Sequence, residues 1–336
     1  MNYMQKGKVS LLLSNLLIVG LLVTGCSQAK PAATTPSNSP AATATAEDPS
    51  KVIKGSIETY FGNIGSTVKD SYKISEKDLK AALDTSPDKY VVLDIRKADA
   101  YAAGHIKGAI NVPYGPDIAK NLDSIRAIAK DKTVIVACYT GQTAGQADSL
   151  LNAAGIKTLS LNSGMGGSGT PGFETRGWLG QKFPTVTEAT AMPTAPAVAT
   201  TSKAIDDAVK NYFEAIGTTV KDSYKIDLPA MKDALAKEAD KYYIVDVRQA
   251  KDFAIGHIKG AVSVPYGPDI AKNLDSIKDN SKGKTVVVYC YTGQTAGQVD
   301  SLLNIYGINT KSLNFGFGMD GFTKGWSADK SYEVVK

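Results

Sequence analysis

Cys138 and Cys290 are the residues in this chain best placed to do chemistry. Each opens the same string, Cys138-Tyr139-Thr140-Gly141-Gln142-Thr143-Ala144 and Cys290-Tyr291-Thr292-Gly293-Gln294-Thr295-Ala296. In both, a short apolar run leads into the cysteine, and a small-residue loop leads out of it into a stretch with helical periodicity. Such a loop turns backbone N–H groups and a helix N-terminus toward the sulfur, which holds anions and favours thiolate over thiol. The expected chemistry is nucleophilic attack by sulfur, with no need of a histidine base. The same cysteines could instead fill core space as small apolar side chains. Against that reading, the flanking residues are Thr, Gly and Gln, and two thiols at equivalent positions of separate copies are badly placed to pair. Only Cys26, His105 and His257 remain as further ligands of this kind, too few at usable spacing for a zinc framework, so neither metal nor cofactor is expected.

Positioning such thiols requires a buried strand ending at each one. Residues 90–95 and 133–137 are short continuous apolar runs, the pattern of strands buried on both faces of a mostly parallel sheet. Residues 116–128 and 143–154 carry helical periodicity, and Gly155 supplies a stop for the second. Val52, Ile53, Ile57, Tyr60 and Phe61 have helical spacing within 51–63, and Ser75-Glu76-Lys77-Asp78 is a capping-box-like opening for a short helix to Leu83. The alternation predicts an α/β layered fold. The whole pattern returns 152 residues later: Thr67-Val68-Lys69-Asp70-Ser71-Tyr72-Lys73 lies over residues 219–225, and the run 112–125 recurs unchanged at 264–277. That period is far above the roughly 20 to 50 residues of solenoid repeats. It predicts two complete domains with their own cores, 51–183 and 203–336, joined by a Pro, Ala and Thr linker at 184–202 that reads as a flexible tether.

With 43% apolar and 21% charged side chains, 336 residues can build one large or two ordinary domains, which excludes collagen, a disulfide-dense toxin and a wholly disordered chain. The net charge of +5, 38 Lys and Arg against 33 Asp and Glu, comes without a basic run, so nucleic acid is not an expected partner. Lys6 and Lys8 precede an apolar stretch at 9–23, short for a membrane span and suited to a signal-peptide core. Val23-Thr24-Gly25-Cys26-Ser27 resembles the lipobox of bacterial lipoproteins, which implies removal of residues 1–25, lipid on Cys26, and an exported protein anchored to the membrane on its extracytoplasmic side. Residues 26–50 hold almost no large apolar side chain and read as a disordered tether.

Asp94-Ile95-Arg96, Gly104-His105-Ile106-Lys107-Gly108 with its continuation to Pro113, and Cys138 to Thr143 together resemble rhodanese domains. The second copy repeats them at Asp246-Val247-Arg248, at 256–265 and at Cys290 to Thr295. The resemblance covers 51–183 and 203–336 and implies two tandem rhodanese-like domains, each a mostly parallel central sheet flanked by helices. It also implies sulfur transfer, in which Cys138 and Cys290 take sulfane sulfur from a small donor such as thiosulfate, hold it as a persulfide, and pass it to cyanide or another thiophilic acceptor, a protein included. The loops Tyr139 to Thr143 and Tyr291 to Thr295 would bind the anionic sulfur species through their amides. Asp94 with Arg96, and Asp246 with Arg248, would be supporting ion pairs, while His105 and His257 would make structural hydrogen bonds.

The resemblance has departures. In mitochondrial thiosulfate enzymes a basic residue follows two positions after the cysteine, where this chain has Thr140 and Thr292, and an arginine stands where it has Ala100 and Asp252. Polysulfide or a protein persulfide therefore stands beside thiosulfate as donor. A cysteine phosphatase would need an arginine six residues beyond the nucleophile, at Ala144 and Ala296. A persulfide carrier or sensor without efficient turnover is the reading from another class that the residues leave open.

Overall fold

The alternation of apolar runs and helical stretches resolves, in a computed structural model that describes residues 47–336, into two five-stranded parallel sheets. The first repeat runs through α1 (Pro49–Gly62), β1 (Lys73–Ile74), α2 (Glu76–Thr85), β2 (Tyr90–Asp94), α3 (Ala98–Ala103), β3 (Ile110–Asn111), α4 (Pro116–Ile128), β4 (Thr133–Ala137), α5 (Gln142–Ala153), β5 (Thr158–Leu161) and α6 (Gly177–Gly180). The second follows with α7 (Lys203–Ala215), β6 (Lys225–Ile226), α8 (Leu228–Glu238), β7 (Tyr242–Asp246), α9 (Ala250–Ile255), β8 (His257–Ile258), β9 (Ala261–Ser263), α10 (Pro268–Asn280), β10 (Thr285–Tyr289), α11 (Gln294–Ile305), β11 (Thr310–Leu313) and β12 (Val334–Val335). Strand orders are β1-β5-β4-β2-β3 and β6-β11-β10-β7-β9, and β12 pairs antiparallel with β8 in a small separate ribbon. The cysteine-bearing strands β4 and β10 are central, flanked by β5 and β2 or by β11 and β7, which is why their apolar runs are unbroken.

Local signals account for most helix starts. Ser75 caps α2, its hydroxyl accepting from the Asp78 N–H at 3.1 Å, and the helix runs two residues past Leu83. Pro116 and Pro268 open α4 and α10, where a missing N–H costs nothing. Strands β1 and β3 are two residues long and β5 is four, too short to carry a periodic signal.

Each sheet keeps one face to itself. Leu79, Val92, Ile106, Ile135, Leu161 and Trp178 form a core in the first repeat, and Met231, Ile244, Val287, Leu313, Phe317 and Trp326 form one in the second. The opposite faces merge into a single cluster that holds Ile57, Phe61, Leu122 and Leu150 together with Phe213, Val209, Leu274 and Leu302. The expectation of two self-contained cores is thereby corrected. The helix that opens each repeat packs on the other repeat: α1 lies on α10, and α7 lies on α4. Arg126 of α4 and Asp206 of α7 close the second contact with a buried ion pair of 2.6 Å.

Helices α5 and α11 cross where the repeats meet. A Cβ on Gly145 would lie 2.4 Å from the Gln294 carbonyl oxygen, and one on Gly297 would lie 2.6 Å from that of Gln142, so only glycine admits this approach. Across the crossing, Ser149 and Ser301 share a 2.7 Å hydrogen bond.

The linker at 184–202 also differs from expectation, because it is fixed along the first repeat. His105 and Val186 exchange main-chain hydrogen bonds of 3.0 and 2.9 Å, Trp178 Nε1 donates to the Pro184 carbonyl, and the Thr190 N–H donates to the Tyr101 hydroxyl. Met192 and Ala195 rest against the shared core. What holds the segment is main-chain bonding to partners distant in sequence, which composition does not register.

Candidate active site

Because β4 ends at Ala137 and β10 at Tyr289, Cys138 and Cys290 are the first residues beyond the carboxyl ends of central strands, and each is 2% exposed. Cys138 Sγ accepts from the N–H groups of Gly141 at 3.1 Å and Ala144 at 3.3 Å. Cys290 Sγ accepts from the Gly293 N–H at 3.1 Å. Gly141 and Gly293 adopt φ of +95° and +96°, a left-handed turn that curls the loop back under the sulfur before α5 and α11 begin. Anionic sulfur in such a cradle meets donors that already point at it, so they need no reorganisation. One of these donors belongs to Ala144, the position where a phosphatase would carry its arginine.

The segments after β5 and β11 hold the loops from behind. Met165 and Gly166 donate their N–H groups to the carbonyls of Cys138 (2.7 Å) and Tyr139 (2.9 Å), and Phe317 and Gly318 do the same for Cys290 and Tyr291. Sequence reasoning missed these residues. The available signal was the Gly-x-Gly spacing shared by Gly164 and Gly166 with Gly316 and Gly318.

Asp94 and Arg96 form the expected ion pair, 2.6 Å long and buried, and Arg96 Nη2 also donates to the Gly104 carbonyl at 2.7 Å. Asp246 and Arg248 repeat this with the Gly256 carbonyl. Both arginines thus brace the bend that joins β2 to α3, or β7 to α9. His105 makes contacts of 2.9 and 3.0 Å to the carbonyls of Tyr101 and Glu188, and His257 one of 3.1 Å to that of Phe253.

Within the loops the side chains diverge. Thr140, Thr143, Thr292 and Thr295 are half-buried at the rim, and Gly141 and Gly293 are buried. The side chains of Gln142 and Gln294 leave the site and cross between repeats: Gln142 Nε2 donates to Ser312 Oγ and Gln294 Nε2 to Ser160 Oγ, both at 2.9 Å. Next along the helices, Gln146 Nε2 donates to the Asp300 carboxyl at 3.1 Å and Gln298 Nε2 to that of Asp148 at 3.0 Å. Tyr114 and Tyr266 complete the chain by donating to Gln146 Oε1 and Gln298 Oε1 at 2.7 and 2.6 Å. Burial pushes both phenols well above the usual tyrosine range, so they remain donors. Burial likewise raises the carboxyls of Asp148 and Asp300 well above theirs.

Tyr139 and Tyr291 occupy equivalent positions in different surroundings. Tyr139 is 41% exposed. Tyr291 is half-buried, donates to the Asp252 carboxylate and accepts from the Gln249 N–H at 3.3 Å. Burial and then the bond to Asp252 push its hydroxyl up to about 12. Among the described residues no group of three or more His, Cys, Asp or Glu side chains could hold a metal ion. Cys26 and the lipobox-like string lie outside the described residues.

Comparison with protein families matches the rhodanese-like domain twice, at residues 75–167 and 229–328. Among curated proteins, the thiosulfate sulfurtransferase GlpE of Pseudomonas fluorescens is 44% identical over 75 residues, 22% of this chain and 65% of that protein. The thiosulfate:glutathione sulfurtransferase of Saccharomyces cerevisiae is 28% identical over 93 residues, 25% of this chain and 66% of that protein. Among solved structures, a thiosulfate sulfurtransferase from Pseudomonas aeruginosa is 25% identical with a TM-score of 0.30, covering 84% of this chain and 49% of that one. The chain therefore spans under two thirds of the length of each of these relatives.

Proposed function

The chain belongs to the rhodanese-like domain family, and from that premise we propose that it is a sulfurtransferase acting through Cys138 and Cys290. The observation that carries the proposal is the pair of main-chain N–H groups, from Gly141 and Ala144, aimed at the Cys138 sulfur at 3.1 and 3.3 Å. In the proposed reaction the cysteine thiolate attacks the outer sulfur of thiosulfate or a related donor. Its electron pair forms the new S–S bond while the donor's S–S bond breaks, and sulfite leaves with that bonding pair. Cyanide or an acceptor thiolate, a protein's included, then attacks the terminal sulfur of the persulfide, giving thiocyanate or a new persulfide and returning the cysteine thiolate. Charge balances in both steps, and no oxidant or reductant enters. The loop amides stabilise the persulfide anion and the departing sulfite, and ping-pong kinetics follow from the covalent intermediate.

Intact mass tests this directly. Incubation with thiosulfate is expected to add one or two sulfur atoms, and cyanide to remove them. The Cys138→Ser and Cys290→Ser variants should each lose one site, and the double variant both. A mass unchanged by thiosulfate and by polysulfide alike, or a gain that survives in the double variant, would overturn the proposal. Export with lipid attachment at Cys26 is part of the same proposal and rests on the sequence; the mass of protein extracted from membranes of its own host should include a diacylglycerol, and an unlipidated product would end that part.

A further inference from the structure

Resting on the sulfur-transfer reading, we propose that Asp252 is a specificity determinant that sets the Cys290 site against dianionic donors and makes Cys138 the faster of the two to load from thiosulfate. The two loops have the same sequence, and the additional Ala144 N–H at Cys138 bears on the cysteine's own sulfur whichever donor arrives, so a difference that follows donor charge must come from what surrounds the loops. The buried pairs Asp94 with Arg96 and Asp246 with Arg248 are alike in both repeats and cancel in the comparison. The helices that face the loop tyrosines, α3 and α9, are not alike. Asp252 accepts a hydrogen bond from Tyr291, the residue next to the nucleophile, whereas the equivalent position beside Tyr139 is Ala100. Gln249, whose N–H reaches the Tyr291 hydroxyl, is replaced in the first repeat by Lys97. Over these two positions the formal charge changes from +1 in the first repeat to −1 in the second.

One residue away the signs run the other way, with Asp99 in α3 and Lys251 in α9. Both are exposed, Asp99 is turned back to accept from the Ala100 N–H, and neither hydrogen-bonds the loop tyrosine. Asp252 is therefore the charge in contact with the second site's loop. Its bond also occupies the Tyr291 hydroxyl, while Tyr139, 41% exposed, keeps its own hydroxyl for an arriving anion.

A donor bound at Cys290 lies beside Tyr291, the residue that this carboxylate holds. At a separation of roughly 8 Å in water-like surroundings, one like charge disfavours a dianion about sixfold and a monoanion about twofold. Discrimination therefore follows the donor's charge. Thiosulfate and methanethiosulfonate deliver sulfur by the same displacement but carry two charges and one, sulfite leaving from the first and methanesulfinate from the second.

The test uses the full chain, exposed briefly to either donor, with persulfide read at each cysteine by peptide mass. Loading of Cys138 relative to Cys290 should be about twofold more biased with thiosulfate than with methanethiosulfonate, and salt should shrink the difference. Asp252→Asn, which keeps an acceptor for Tyr291 but removes the charge, should shrink the dependence on donor charge. Ala100→Asp should slow thiosulfate at Cys138. A bias equal for both donors, or one unchanged in Asp252→Asn, would overturn the assignment while leaving sulfur transfer intact. Failure of both donors to load either cysteine would overturn the sulfur-transfer reading and this inference with it.

Discussion

Arg96 serves its site without touching the sulfur. Its Nε and Nη2 are held by Asp94 and the Gly104 carbonyl, so these donors close the bend behind the loop. Asp94 is 1% exposed, and removing its partner would strand a buried acid. Arg96→Met is therefore expected to cost about 3 to 5 kcal/mol in urea unfolding. Persulfide formation per folded molecule should persist at Cys138, and a selective loss of that chemistry in a fully stable variant would show that Arg96 meets substrate after all. The residue scale was also the most legible in sequence. The cysteine strings could be read from their repetition and loop composition, and the two Asp-x-Arg stations from the family resemblance. The destination of the Gln142 side chain could not be read, since its partner Ser312 belongs to the other repeat.

At the scale of elements, the crossing of α5 and α11 rests on the absence of two side chains. In an open helix, glycine to alanine usually stabilises by about 1 kcal/mol. Gly55 of α1 has nothing within 4 Å of a Cβ position, and Gly55→Ala should show that gain. For Gly145 the obstacle is the Gln294 carbonyl, a main-chain atom that cannot swing aside. Gly145→Ala is expected instead to lose about 1 to 3 kcal/mol as the helices are forced apart. Thermal denaturation of the two variants side by side checks this, and a gain in both would mean that the helices do not meet there. Helix periodicity located α4 and α5 to within a residue at either end, yet it could not say that α5 faces a copy of itself, because one amphipathic stripe does not name its partner.

Exchange of α1 and α7 between the repeats, the shared core and the bound linker make the two halves interdependent at the scale of the whole molecule. Near its centre lie Asp148 and Asp300, 0% exposed, with desolvation outweighing the hydrogen bonds and the charges of Lys73 and Lys225 that would lower them. A carboxyl raised on folding keeps its proton in the native state after the unfolded chain has lost it. Its stabilising contribution is complete below the ordinary carboxylate value of about 4 and is lost as pH rises from there through the native value. Within that window each such group reduces stability by about 1.4 kcal/mol per pH unit. Urea unfolding of the parent should thus weaken as pH rises above about 4 relative to an Asp148→Asn, Asp300→Asn double variant. Parallel profiles would place the carboxylates in their ionised form and contradict an upward shift of the two groups.

From its sequence alone this protein was determined to be a duplicated α/β chain with a cysteine opening the same small-residue loop in each copy, because strand runs, loop composition and internal repetition are local or self-referential properties. Only the tertiary structure decided which helix covers which sheet, that the glutamines and buried acids of one repeat answer to the other, and that Asp252 holds Tyr291 while Ala100 leaves Tyr139 open. Those outcomes depend on contacts between residues far apart in the chain, and in a duplicated sequence every such contact has two equally plausible partners until the fold selects one.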